Sequence, residues 1–191
     1  MEIAQKTLIK DLLENLEKSI TTVKNLQELS LEKLNYKKNA TSWSILECLE
    51  HLNLYGDFYL PEIKKAIEKS INQQSPQTQK NANKTFQSGF WGEMFVNLIQ
   101  VKNDKIKKMK TVKDKIPANS GLNHQTVTDF LVQLNALKLF LGQTAEKEID
   151  MTKAKTAIAL TKFIKLRLGD TFRFVVFHVE RHVLQAKNTQ I

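Results

Sequence analysis

The sequence predicts an all-α chain folded as a four-helix bundle with long irregular connections. Two observations carry this expectation. Apolar residues recur at three- and four-residue steps over four separate segments, and nothing reads as a β-hairpin turn, a Gly-rich phosphate loop or an internal repeat. The length permits one domain, 1–191, because 191 residues with 41% hydrophobic and 26% charged content can bury a core without disulfides or a structural metal.

The first helix is read from about Ala4 to Leu29, where Ile9, Leu12, Leu13, Leu16, Ile20, Val23 and Leu26 form one apolar face between Lys, Glu, Asp and Asn. The second begins at Ser44-Ile45-Leu46-Glu47, whose spacing is that of a capping box, in which hydroxyl and carboxylate satisfy otherwise unpaired backbone N–H groups. Its apolar positions are Ile45, Leu46, Leu49, Leu52 and Phe58, continued by Ile63, Ile67 and Ile71. Pro61 is expected either to kink this helix or to open a new one. The polar run 72–88 reads as a loop, long enough to cross one end of a bundle and shape a cavity mouth. Residues 90–101 suit a short helix, and Lys110 to Asn123, with Pro117 and Gly121, an irregular stretch.

A third helix is expected from Gln125 to Glu148, with Val127, Phe130, Leu131, Leu134, Leu137, Leu139 and Leu141 on its apolar side. Lys153 to Leu168 partly alternates and reads as a connecting or short-strand-like stretch. Gly169-Asp170-Thr171 then supplies a turn and an N-cap for a last helix, Phe172 to Lys187.

Charge and composition narrow the function. There are 29 Lys and Arg against 20 Asp and Glu, a net charge of +9. The lysines at 102, 105, 107, 108, 110, 113 and 115 crowd into one strip, which reads as a solvated face. No helix-turn-helix, zinc-finger or aromatic RNA-binding signature accompanies it, so nucleic acid is not the expected partner. The longest apolar stretch, Phe90 to Val101, falls short of the ~20 residues a membrane span needs, and no membrane partner is expected. The N-terminal residues include acids and lack an apolar signal region, and the single Cys48 cannot form an intrachain disulfide; the expected location is cytoplasmic. An exposed face of the first helix or of 90–101 would allow a homodimer.

Chemistry concentrates in the histidines: His51, His124, His178 and His182. His178 and His182 stand four residues apart, so their imidazoles leave one helix face a turn apart and can share a metal ion. His51 lies among core positions of the second helix, where a hydrated ring needs a partner. Facing helices can bring all three together inside a bundle, leaving open coordination positions for water or substrate. The competing reading has His51 as a core histidine bonded to a carboxylate and one of the pair exposed. Both stand on the residues alone.

Two motifs go further. Trp43-Ser44-Ile45-Leu46-Glu47-Cys48-Leu49-Glu50-His51-Leu52, together with His178-Val179-Glu180-Arg181-His182-Val183-Leu184-Gln185, resembles the DinB/YfiT-like superfamily of four-helix-bundle metalloenzymes. The resemblance implies that His51, His178 and His182 bind one divalent metal, commonly nickel or zinc, with water in the remaining position. It implies a metal-dependent enzyme acting on a small molecule, either a thiol S-transferase that uses a low-molecular-weight thiol or a hydrolase. The alternative is a non-catalytic bundle that acts by protein association in a stress response.

Around those ligands, Ser44 is expected to cap and Trp43 to pack. Glu47, one turn before His51, is a candidate acceptor for its ring, although capping competes for the same carboxylate. Gln185, one turn past His182, is a candidate contact to substrate or bound water. Arg181 is expected at the surface or in an ion pair, Glu50 and Glu180 on other helical faces, and His124 at a helix start or the surface.

Overall fold

A computed structural model describes residues 1–73, 84–101, 106, 111–117, 121–159 and 161–189. It contains α1 (Gln5–Gln27), α2 (Leu31–Asn35), α3 (Ile45–Asn72), α4 (Phe90–Ile99), α5 (His124–Glu146) and α6 (Leu168–Asn188). The short strands are β1 (Glu2–Ala4), β2 (Thr85–Gln87), β3 (Lys155–Ile158) and β4 (Thr161–Arg167). The long helices α1, α3, α5 and α6 form the expected bundle: α3 packs on α5 and α6, and α1 packs on the same two from the other side. Their buried faces make one continuous core, including Leu12, Leu16, Leu49, Ile63, Phe130, Leu134 and Phe172.

The capping box at Ser44 is present in full. Ser44 Oγ accepts from Glu47 N at 3.1 Å and Glu47 Oε2 accepts from Ser44 N at 2.8 Å, which fixes where α3 begins and so the phase of His51 on its buried face. Pro61 lies inside one continuous α3 and opens no new helix. Asn123 caps α5, its Oδ1 accepting from Gln125 N at 2.8 Å.

Four short strands lie outside the helices, two of them within Lys153 to Leu168. β1 pairs antiparallel with β2, closing the N-terminal residues onto the far end of the polar run 72–88. The middle of that run, 74–83, lies outside the described residues, as do Lys102, Lys105, Lys107, Lys108 and Lys110 of the basic strip. β3 and β4 form a hairpin in which Thr156, Ile158 and Leu166 turn inward. That alternation is why Lys153 to Leu168 looks strand-like. The hairpin itself goes unsignalled because the sequence between Ile158 and Thr161 contains neither Gly nor Asn.

The start of α6 also differs. The helix begins at Leu168, four residues before the expected Phe172, and Asp170 sits in its first turn rather than at an N-cap. Asp170 is fully buried and accepts from Ser88 Oγ at 2.5 Å, Gly89 N at 2.8 Å and Arg173 Nη1 at 3.3 Å. This carboxylate therefore ties α4 to α6 instead of capping its own helix. Gly92 makes the approach possible, since a Cβ there would stand 2.0 Å from Asp170 Cγ. Among the expected apolar positions, Leu139 and Ile71 are exposed; they lie beside the buried stripes of α5 and α3 rather than within them.

Candidate metal centre

His51 comes from α3, His178 and His182 from α6, and all three are buried. One ligand atom of each lies within 4.8 Å of the others, and their ring centroids are 4.6–5.1 Å apart. His51 Nε2 and His178 Nε2 are 3.3 Å apart. Two nitrogens bound at about 2.05 Å to a tetrahedral ion stand about 3.3 Å apart, so this separation is already that of a shared cation.

Two contacts fix which nitrogen each ring presents. His51 Nδ1 is 2.7 Å from the Lys115 carbonyl; a carbonyl only accepts, so Nδ1 carries the proton and Nε2 keeps its lone pair. His182 Nδ1 is 3.0 Å from Gln185 Oε1, with the same consequence. Such outer hydrogen bonds orient ligating imidazoles and raise their basicity.

The walls are aromatic. Trp43 packs over His51 and His182, at 4.9 and 5.8 Å between centroids. Tyr55 meets His51 at 5.0 Å and His178 at 4.6 Å, and Phe174 stacks on His178 at 5.6 Å. Burial among these rings pushes His51 below the usual imidazole range, partly offset by the Lys115 carbonyl. It pushes His178 and His182 well below it, and the neighbouring imidazoles and Arg181 add to the shift. Neutral imidazoles are the ligating form, so the environment keeps all three ready to bind a cation.

The remaining sequence-selected residues fall into place around this cluster. Glu47 has both oxygens engaged, Oε2 by Ser44 N and Oε1 by Lys37 Nζ at 2.6 Å; capping has won over His51, whose Nδ1 turns to Lys115. Gln185 contacts the His182 ring itself. Arg181 is buried rather than at the surface. Glu50 accepts from Asn53 at 3.3 Å. His124 opens α5, exposed, with Nε2 3.0 Å from the Leu29 carbonyl. Of the basic strip, Lys115 is no solvated side chain: its Nζ donates to the Leu54 carbonyl at 2.8 Å and lies over the Tyr55 ring.

Sequence reasoning did not single out Tyr55, Phe174 or Lys115. The first two carried a signal, for Tyr55 is one turn after His51 and Phe174 one turn before His178, on the same helix faces. Lys115 acts on His51 through its backbone carbonyl, which no residue pattern marks.

A helical bundle with three buried imidazoles converging between two of its helices is compatible with metal binding. The sequence matches the family model of the DinB superfamily over residues 16–186, and the chain belongs to that superfamily. No curated protein and no solved structure matches it.

Proposed function

We propose that this protein is a metal-dependent enzyme in which His51, His178 and His182 hold one divalent ion, nickel or zinc, with a coordination position left for substrate. The single observation that carries the reading is the convergence of the three rings, with two Nε2 atoms at tetrahedral separation. The donor set fits. Three neutral nitrogen donors suit borderline ions such as zinc and nickel, whereas calcium and magnesium require oxygen. A metal held there supplies Lewis acidity at its open position.

The chain's own residues do the rest. The Lys115 carbonyl and Gln185 Oε1 hold protons on the Nδ1 atoms of His51 and His182, so both rings offer Nε2. His178 Nε2 stands 3.3 Å from His51 Nε2, a separation that a cation shared by the two rings would fit. Trp43, Tyr55 and Phe174 exclude water and stiffen the rings.

The neutral donors leave the charge of a divalent ion uncompensated, and the charged groups acting on the His51 ring, Lys115 and Arg181, are cationic. The open position therefore favours an anion. A metal held by these three rings would supply Lewis acidity toward an anionic ligand, which fits thiol S-transfer from a low-molecular-weight thiol or hydrolysis. The superfamily resemblance favours the thiol. Metal analysis of untagged protein tests the site. His178→Ala is expected to abolish stoichiometric metal and His124→Ala to leave it unchanged; equal metal content in the two variants would refute the assignment. Turnover of a thiol with an electrophile by metal-loaded but not chelated protein tests the chemistry.

A further inference from the structure

α4 is apolar on both sides: it buries Val96 and Ile99 and also turns apolar residues outward. Its one charged residue, Glu93, bonds to Arg173 of α6, while Phe90, Trp91 and Leu98 face outward at 78, 44 and 50% exposure. Trp91, Phe95 and Leu98 follow the i, i+4, i+7 spacing of one helix face, and Phe90 and Trp91 are in edge contact at 5.3 Å. An exposed apolar face rimmed by polar residues marks an interaction surface.

The neighbouring hairpin supplies charge. The hairpin, 155–167, holds Lys155, Lys162, Lys165 and Arg167 and no acid. Lys165 and Arg167 share one face of β4, and Lys155 stands opposite Arg167 in the register. Arg167 joins this cationic face to the apolar one. Its Nη1 donates to the Gln87 carbonyl at 2.6 Å, and its side chain lies beside Gly89, the residue before Phe90.

We infer that the outer face of α4 and the cationic face of the β3–β4 hairpin together dock this protein on an anionic lipid surface. An apolar aromatic face beside clustered Lys and Arg is the composition of interfacial membrane binding. Size argues against a second copy. With roughly 150–250 Å² per fully exposed aromatic side chain, the face offers roughly 350 Å², against ~800 Å² per partner in a stable interface. A bilayer needs no matched shape. Among the described residues no helix is long and apolar enough to cross a membrane, which bears on spanning a bilayer and not on resting against one.

The test is sedimentation of the full chain with vesicles of phosphatidylcholine alone or with one part in three of phosphatidylglycerol. Binding is expected to the anionic vesicles only and to weaken with added salt. Trp91 emission should shift to the blue and be quenched by brominated acyl chains, with that quenching lost in Trp91→Phe. Lys155→Gln with Lys165→Gln should weaken partitioning by roughly fivefold per lysine, roughly 25-fold together. Absence of binding to anionic vesicles at low salt overturns the inference. So does binding that neither Trp91→Ser nor the double lysine variant alters. A dimer formed without lipid and abolished by Trp91→Ser would instead assign the face to a second copy.

Discussion

Replacing Gln185 by leucine removes one acceptor from the candidate metal centre while nearly keeping side-chain volume. His182 Nδ1 is 3.0 Å from Gln185 Oε1 in a buried site, and that bond decides which ring nitrogen of His182 is free. Without it the Nδ1–H tautomer loses its partner, and the ring is free to place its proton on Nε2, the nitrogen the site needs as a ligand. Loss of such an outer partner lowers metal affinity by about 10- to 100-fold, or about 1.4–2.7 kcal/mol. Gln185→Glu keeps an acceptor at the same reach, so it is expected to retain affinity where leucine loses it. Two measurements check this: competition for zinc or nickel against a chelator, and the His182 tautomer from ¹⁵N chemical shifts in the metal-free protein. A purely structural role would lower thermal stability equally with and without metal. Should Gln185→Leu bind metal within about twofold of the unaltered protein and keep the same tautomer, the positioning argument fails.

Three further outcomes follow from the packing and electrostatics. Because burial holds His51, His178 and His182 below the usual imidazole range, the unfolded chain takes up protons first as pH falls below ~6.5. Metal-free stability is therefore present above that pH and lost below it, with a slope of up to about 4 kcal/mol per pH unit for three rings. Urea unfolding at several pH values checks this, and a flat profile between pH 7 and the acid limit would contradict it. Gly92→Ala drives a Cβ into the buried Asp170 carboxylate and should destabilise the fold by about 2 kcal/mol or more, measured by thermal or denaturant unfolding. Cys48 is fully buried and its thiol is pushed up to about 12 by burial and Glu47. Alkylation at mildly alkaline pH should thus occur only after unfolding, as mass spectrometry before and after denaturant would show.

The bundle was legible because its signals are local. Apolar periodicity in α1, α3 and α5 and the capping box at Ser44 depend on nearest turns, and they set the helix ends within a few residues. Four-residue spacing fixes His178 and His182 on one face before any fold is known, and His51 is added by its core position and by the family resemblance.

Tertiary structure decided everything that depends on a contact between distant segments. Asp170 looks like a cap in sequence, yet Ser88, Gly89 and Arg173 recruit it as a buried tie, and α6 extends one turn earlier. Glu47 had two possible partners; the nearby backbone N–H and Lys37 occupy it, leaving His51 to a carbonyl 64 residues away. The β3–β4 hairpin buries its inward residues Thr156, Ile158 and Leu166 without the turn chemistry that would announce it. Periodicity specifies which face of a helix is buried, but the partner that face meets is fixed only when loops, helix angles and side-chain volumes are satisfied together. That is why the histidines that cluster could be named from the chain alone, while the carbonyl and amide oxygens that meet their Nδ1 atoms could not.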